Sequence, residues 1–243
     1  MGHLITVEGG EFTGKSSVVV PALYALCKEL GIPAVKSREP GGVPKAEKIR
    51  KRIFERLRNG ANPKELAVLF NRARKIHLTH IVRPFFRKHP HGIVLLDRYC
   101  DSTFVYQGYE AGVSISSLLE LHKKYADNYF PDFTLLLHFP VKSFAQTFLN
   151  RSQSPADMSR DTTAWDEGHI STHQQRQKHY LSLPSLFESL NIPRVFAKID
   201  ASLEKEHVRE LARKTLMAFL KDAKQEVANL TTPSRATTTI VLP

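Results

Sequence analysis

The chain has 243 residues and a mass of 27.5 kDa, with 42% apolar and 24% charged residues. That length and balance exclude wholesale disorder and allow one large domain with its own core. Lys and Arg number 35 against 24 Asp and Glu, a net charge of +11. The excess points to an anionic partner (nucleotide, nucleic acid or acidic membrane) or to nothing more than a solvated basic surface.

No apolar run approaches the ~18 residues of a membrane span, and the first short run leads into a glycine-rich loop rather than a cleavage site. Met1-Gly2-His3-Leu4-Ile5-Thr6 fits a loose myristoylation pattern but also reads as the start of a buried strand. Cys27 and Cys100 are too few for a disulfide framework, and no Cys/His spacing suggests zinc. A reducing, cytoplasmic setting is the expectation, with an organelle left open.

His3 to Glu8 reads as a buried strand ending at Gly9-Gly10. A helix pattern follows from Lys15, with Val19, Leu23, Leu26, Cys27 and Leu30 on one stripe and Gly31 as C-cap. Pro21 lies inside it, which predicts a kink or a later helix start. Ala34 to Ser37 is a second strand; Pro40-Gly41-Gly42 breaks the chain before an amphipathic helix over Lys45 to Arg58. Asn62-Pro63 opens a long helix as N-cap and first helical residue, with Leu66, Leu69, Phe70, Ala73 and His77 on one side. Pro84 marks a kink or a new helix.

Ile93 to Leu96 is a third strand, ending at Asp97-Arg98. Ser116 to Lys124 is helical, Phe133 to Phe139 a fourth strand, and Val141 to Asn150 helical again. Arg151 to Glu167 is polar without a clear period. A helix bent at Pro184 covers Ile170 to Leu190; Val195 to Ile199 is a fifth strand and Leu203 to Leu220 a last helix. Five short strands alternating with helices predict an α/β fold: a five-stranded parallel sheet with helices on both faces. The expected organisation is a domain over 1–222, a lid at about 151–167, and a mobile tail over 223–243.

Such sheets bind ligands at the carboxyl ends of their strands, where Gly9 and Asp97 both fall. Gly9-Gly10-Glu11-Phe12-Thr13-Gly14-Lys15-Ser16 matches the phosphate-loop pattern, between a strand and a helix. Backbone N–H groups of the loop and the helix start cradle phosphates. Lys15 then reaches the β- and γ-phosphates, and the Ser16 hydroxyl ligates Mg²⁺. The expected phosphate-binding stretch is Gly9 to Ser17.

Further motifs follow in order. Arg38-Glu39-Pro40-Gly41-Gly42 comes after the second strand, and Leu69-Phe70 with Arg74 lies on the long helix. Asp97-Arg98-Tyr99 ends the third strand, followed by Ser102-Thr103 and Tyr106-Gln107-Gly108. This ordered set closely resembles the thymidylate kinase family, within the P-loop nucleoside-monophosphate kinases. The resemblance runs from about His3 to Phe139 and more weakly to Leu220.

The resemblance implies ATP and Mg²⁺ as donor and cofactor, dTMP as acceptor, and a homodimer. It implies that Phe70 stacks on thymine and Arg74 hydrogen-bonds a base carbonyl; a core residue and a solvated charge are the plainer alternatives. Thr103 and Gln107 would face the base, and Tyr106 would crowd the 2′ side of the sugar. Arg98, Arg38 and Pro40 would line the acceptor phosphate region, Asp97 would hold Mg²⁺ or its water shell, and Glu11 would lie between donor and acceptor. Lys15, Arg98 and Glu11 are therefore the expected catalytic set.

The loop itself carries no arginine, so Arg151 or Arg160 of the expected lid would supply the missing cation. Phe12, Ala73 and His138 depart from the family pattern, and a bulky residue at Phe12 is costly if its backbone needs a positive φ. A nucleotide-binding protein that has lost efficient transfer, a kinase for another deoxynucleotide, and a nucleic-acid binder are the competing readings. No helix-turn-helix, RRM or zinc pattern supports the last, and no membrane partner is expected.

Overall fold

The structure, a computed structural model, describes residues 2–153, 168–228 and 238–240, with side chains up to 223. Its strands are β1 (His3–Gly9), β2 (Ala34–Arg38), β3 (Ile93–Asp97), β4 (Phe133–His138), β5 (Val195–Asp200) and β6 (Thr238–Ile240). They form one parallel sheet in the order β2-β3-β1-β4-β5-β6. The five predicted strands are all present, and β6 adds a short sixth beside β5. The helices are α1 (Val20–Glu29), α2 (Pro44–Arg58), α3 (Pro63–His77), α4 (Arg83–Lys88), α5 (Cys100–Thr103), α6 (Ile115–Ala126), α7 (Phe144–Ser152), α8 (Ile170–Ser189) and α9 (Lys205–Ala228).

Alternation along the strands builds a core on each face of the sheet. Ile5, Val7, Ile93, Leu95, Phe133, Leu135 and Leu137 point to one side, against α1, α7 and α9. Leu4, Val94, Leu96 and Leu136 point to the other, against Phe104, Tyr180, Leu183 and Phe187. The apolar runs are buried on both faces, which is why they read as nearly continuous rather than alternating.

Proline positions follow the backbone physics. Lys15–Val19 forms a wide π-type turn, so α1 starts only at Val20 and Pro21 sits in its first turn, where no helical hydrogen bond is lost. Another π-type turn, Leu78–Val82, ends α3, and Pro84 opens α4 in the same way. Asn62 caps α3 by accepting from Lys64 N at 2.8 Å. Pro184 stays inside α8.

The end of the chain departs from the sequence reading. The last helix continues past Leu220 to Ala228, and Thr238–Ile240 pairs with Val195–Ala197. Residues 154–167, nearly all of the expected lid, lie outside the described residues, as does Arg160.

Candidate active site

Strand register brings the motifs together. Val7 pairs with Asp97 and Arg38 pairs with Asp97, so β1, β2 and β3 end at one level and their loops share one rim. Gly9 turns the chain there with φ +137; a Cβ on it would sit 2.3 Å from the Leu137 carbonyl oxygen, so only glycine fits. Thr13 Oγ1 donates to Gly10 O at 2.9 Å and closes the loop. Lys15 Nζ donates to the same carbonyl and lies 3.3 Å from Thr13 Oγ1. Burial, and then the Arg98 charge, bring the Lys15 ammonium down to about 7.

Ser16 and Ser17 are exposed at the start of the π-type turn. The Ser16 hydroxyl donates to Asp97 Oδ2, which links the phosphate loop to the end of β3. Hydroxyl and carboxylate oxygens side by side are hard donors of the kind that Mg²⁺ accepts while keeping part of its water shell. The expected pair Ser16 and Asp97 is thus chemically fit for that ion.

Glu11 is the hub of the site. It is 5% exposed. Its Oε1 accepts from the Tyr106 hydroxyl and from Arg98 Nη2 at 3.3 Å, and its Oε2 accepts from Arg176 Nη1 at 2.7 Å and His173 Nδ1 at 3.3 Å. Burial opposes the charge, yet the His173 bond and the Arg176, Arg98 and Lys15 charges hold this carboxyl well below the usual carboxylate range. Arg98 reaches Glu11 because its backbone is left-handed, φ +67, directly after β3. A strained residue of this kind is held only where its surroundings over-determine it. Arg98 Nη1 also donates to Ser102 Oγ at 3.1 Å and Tyr180 Oη at 2.5 Å.

A second buried network lies on the α3 side. Arg74 is 2% exposed, and its Nε donates to Glu39 Oε2 at 2.9 Å, Nη1 to Asn71 Oδ1 at 2.9 Å and Nη2 to Thr103 Oγ1 at 3.0 Å. His77 completes it, 2.9 Å from Glu39 Oε1 and 2.8 Å from Ser37 Oγ. A guanidinium has five N–H donors, so Arg74 keeps two beyond its three protein partners. Phe70, one turn earlier, is half-buried against Ile53, Leu66 and Leu69. Tyr106, of the Glu11 network, and its neighbour Gln107 are buried, 6% and 3% exposed.

The remaining expected residues are less central. Arg38 is exposed and pairs with Glu47 at 3.1 Å, and Pro40 is buried with its carbonyl accepting from Arg50 at 3.0 Å. Arg151 Nη2 donates to Ala201 O at 3.0 Å and Leu203 O at 2.9 Å, which holds it on the loop after β5. Both of these printed partners are main-chain carbonyls of the segment after β5.

Sequence reasoning missed the contribution of α8. His173, Arg176, Gln177 and Tyr180 are buried on one face of it, at 2%, 3%, 3% and 1% exposure. Their spacing of three, four and seven is the signal that was present, concealed because the other face of this helix is polar too. Glu39, Asn71 and Glu8 were also missed. Glu8 is fully buried and accepts from Tyr99 N at 2.7 Å and Ser102 Oγ at 2.8 Å.

The family profile described as thymidylate kinase matches residues 7–211. Among similar curated proteins, a thymidylate kinase from Halalkalibacterium halodurans is 34% identical over 74% of this chain and 81% of its own. One from Mesoplasma florum is 32% identical over 91% of this chain and 98% of its own. One from Leuconostoc mesenteroides is 34% identical over 75% of this chain and 82% of its own. The profile match over residues 7–211, together with these relatives, places this chain in the thymidylate kinase family.

Proposed function

We propose that the protein transfers the γ-phosphoryl group of ATP to dTMP, giving ADP and dTDP. The observation that carries this reading is the junction of Ser16 with Asp97, which sets the phosphate loop against the strand end that bears Arg98. Lys15 and the loop amides hold the donor phosphates. Arg98, with Arg38 and Pro40 on the rim, receives the acceptor phosphate, where a guanidinium fork matches its oxygens. Arg74 and Thr103 read the thymine edge with Phe70 and Gln107 beside them, and Tyr106 faces the sugar. Transfer needs little covalent chemistry from the protein, so positioning and charge do most of the catalysis.

Ser16 and Asp97 would hold Mg²⁺, which when bound offsets charge on the donor phosphates. Residues 1–222 act as the catalytic domain in this reading, in the cytoplasm and as a homodimer. The family supports the dimer, and sedimentation of the purified chain measures it. Among the described residues, no helix is long and apolar enough to cross a membrane. An ADP-release assay with ATP, Mg²⁺ and a panel of nucleoside monophosphates tests the assignment. It predicts dTMP as the preferred acceptor, and a flat panel or a preference for a ribonucleotide overturns it.

A further inference from the structure

A buried carboxylate in a phosphate loop poses an electrostatic problem. Both substrates of the proposed reaction are anionic, and Glu11 brings a negative charge to the point where they meet. A buried charge persists only if it is paired. Two guanidiniums pair with it from different directions. Arg176 Nη1 lies 2.7 Å from Oε2, while Arg98 Nη2 lies 3.3 Å from Oε1. They flank one ring, with Arg176 4.6 Å and Arg98 5.6 Å from the Tyr106 centroid. Arg176 is the tighter partner and Arg98 the looser one.

Arg176 is also the better anchored of the two. Its Nε donates to Glu110 Oε1 at 2.5 Å and its Nη2 to Glu110 Oε2 at 3.1 Å, a bidentate pair of the strong, oriented kind. The helix that carries it is tied to the sheet end. Gln177, its neighbour, accepts from Phe139 N at 2.7 Å and donates to Phe139 O at 2.8 Å. The Arg176 side chain is 3% exposed, against 21% for Arg98. The more accessible cation is thus the one more loosely bound to Glu11.

We infer that Arg176 is a positioning residue that neutralises Glu11 and so leaves Arg98 available for the phosphate of the acceptor. The inference rests on the proposed dTMP kinase activity. During transfer the donor's γ-phosphorus forms a bond to an oxygen of the acceptor phosphate and loses its bond to the β-bridging oxygen, which departs with ADP. Arg176 takes no proton and forms no bond in that exchange. Without it, Glu11 draws Arg98 onto itself, and the acceptor phosphate loses a ligand.

The test is a double-mutant cycle read as dTMP affinity by calorimetry, alongside steady-state kinetics. Arg176→Met is predicted to weaken dTMP binding by roughly tenfold or more, while the KM for ATP stays within about threefold. In a Glu11→Gln background the same replacement should change dTMP affinity by less than about threefold, because the charge that captures Arg98 is gone. Arg176→Lys, which keeps the charge, should stay nearer the wild type than Arg176→Met and covers the case in which the Met variant fails to fold. Equal losses in both backgrounds, or an Arg176→Met variant with native dTMP affinity, would overturn the inference. A wild-type protein that binds no dTMP would overturn it together with the proposed function, whereas a wild type that phosphorylates dTMP without this coupling would overturn the inference alone.

Discussion

The ring of Phe12 stands edge-on to the ring of Phe148, with centroids 5.2 Å apart and planes at 89°. Phe12 is in the phosphate loop with a left-handed backbone, φ +61, and Phe148 is on α7. The unusual residue therefore carries its conformational strain while gaining a packed contact with the core beneath the loop. The two effects can be separated. Left-handed backbone costs a non-glycine residue ~1–2 kcal/mol, and glycine relieves it. Phe12→Gly loses the ring but not the conformation; Phe12→Ala loses the ring and keeps the strain. Thermal unfolding should rank the wild type first, Phe12→Gly second and Phe12→Ala last, with the two variants ~1 kcal/mol apart. An alanine variant as stable as the glycine one would contradict the strain assignment.

Arg74 calls for a gentler probe than truncation. Its Nε pairs with the buried Glu39, and removing one partner of a buried ion pair costs ~3–5 kcal/mol. Arg74→Ala would therefore confuse a folding defect with a binding one. Arg74→Lys keeps the charge beside Glu39 but loses the planar fork. It should raise the KM for dTMP by about tenfold, on the order of the 1–3 kcal/mol expected of a lost buried hydrogen bond, and leave the KM for ATP unchanged. Equal changes in both constants would remove Arg74 from the base site.

Arg194 tests a buried ion pair away from the site. It has no exposed side-chain surface, donates to both Asp101 oxygens at 2.5 and 2.7 Å and to Thr134 Oγ1 at 2.6 Å, and its guanidinium lies 4.3 and 4.5 Å from the ring centroids of Phe187 and Phe196. Arg194→Met leaves Asp101 buried and uncompensated, a loss of ~3–5 kcal/mol in denaturant unfolding. Adding Asp101→Leu should recover part of that loss, because the stranded charge is removed with its partner. A double variant less stable than Arg194→Met alone would show that the Asp101 carboxylate is satisfied without the arginine.

Glu8 gives stability a specific pH dependence. Burial, and then the Asp101 charge, raise its carboxyl to about 7, against the opposing pull of Arg98 and the bonds from Ser102 and Tyr99. A carboxyl whose folded pKa is raised binds its proton more tightly folded than unfolded. Its contribution is complete below the unfolded value of about 4.5 and is lost as pH rises to about 7. Glu8→Gln should gain stability relative to the wild type between those limits and show a constant difference above them. Urea midpoints at several pH values from 5 to 8 measure it, and a difference that does not change with pH would contradict the account.

The fold was legible because most of its strands are short apolar runs, two of them closed by Gly9 and by Asp97-Arg98, and because Asn62-Pro63 is a start signal that needs no tertiary help. The phosphate loop and the Asp97-Arg98 end were legible for the same local reason. Glu39 and Asn71 were not, since their importance comes from facing Arg74 in space. The α8 residues escaped because a helix polar on both faces gives no clue to which face is buried. The surroundings of Arg151 were not legible either, since sequence shows that an arginine follows a helix but not that the Ala201 and Leu203 carbonyls lie in its reach. The strand at Thr238–Ile240 was invisible because three residues carry no period.

The central claim is phosphoryl transfer to dTMP, and the most direct test is to quantify ADP and dTDP together in one reaction of the purified protein with ATP, Mg²⁺ and dTMP. The account predicts that both products accumulate in equal amounts, and that Lys15→Ala, folded by its thermal transition, forms little of either. ADP formed without dTDP, or neither product from the wild type, would contradict it.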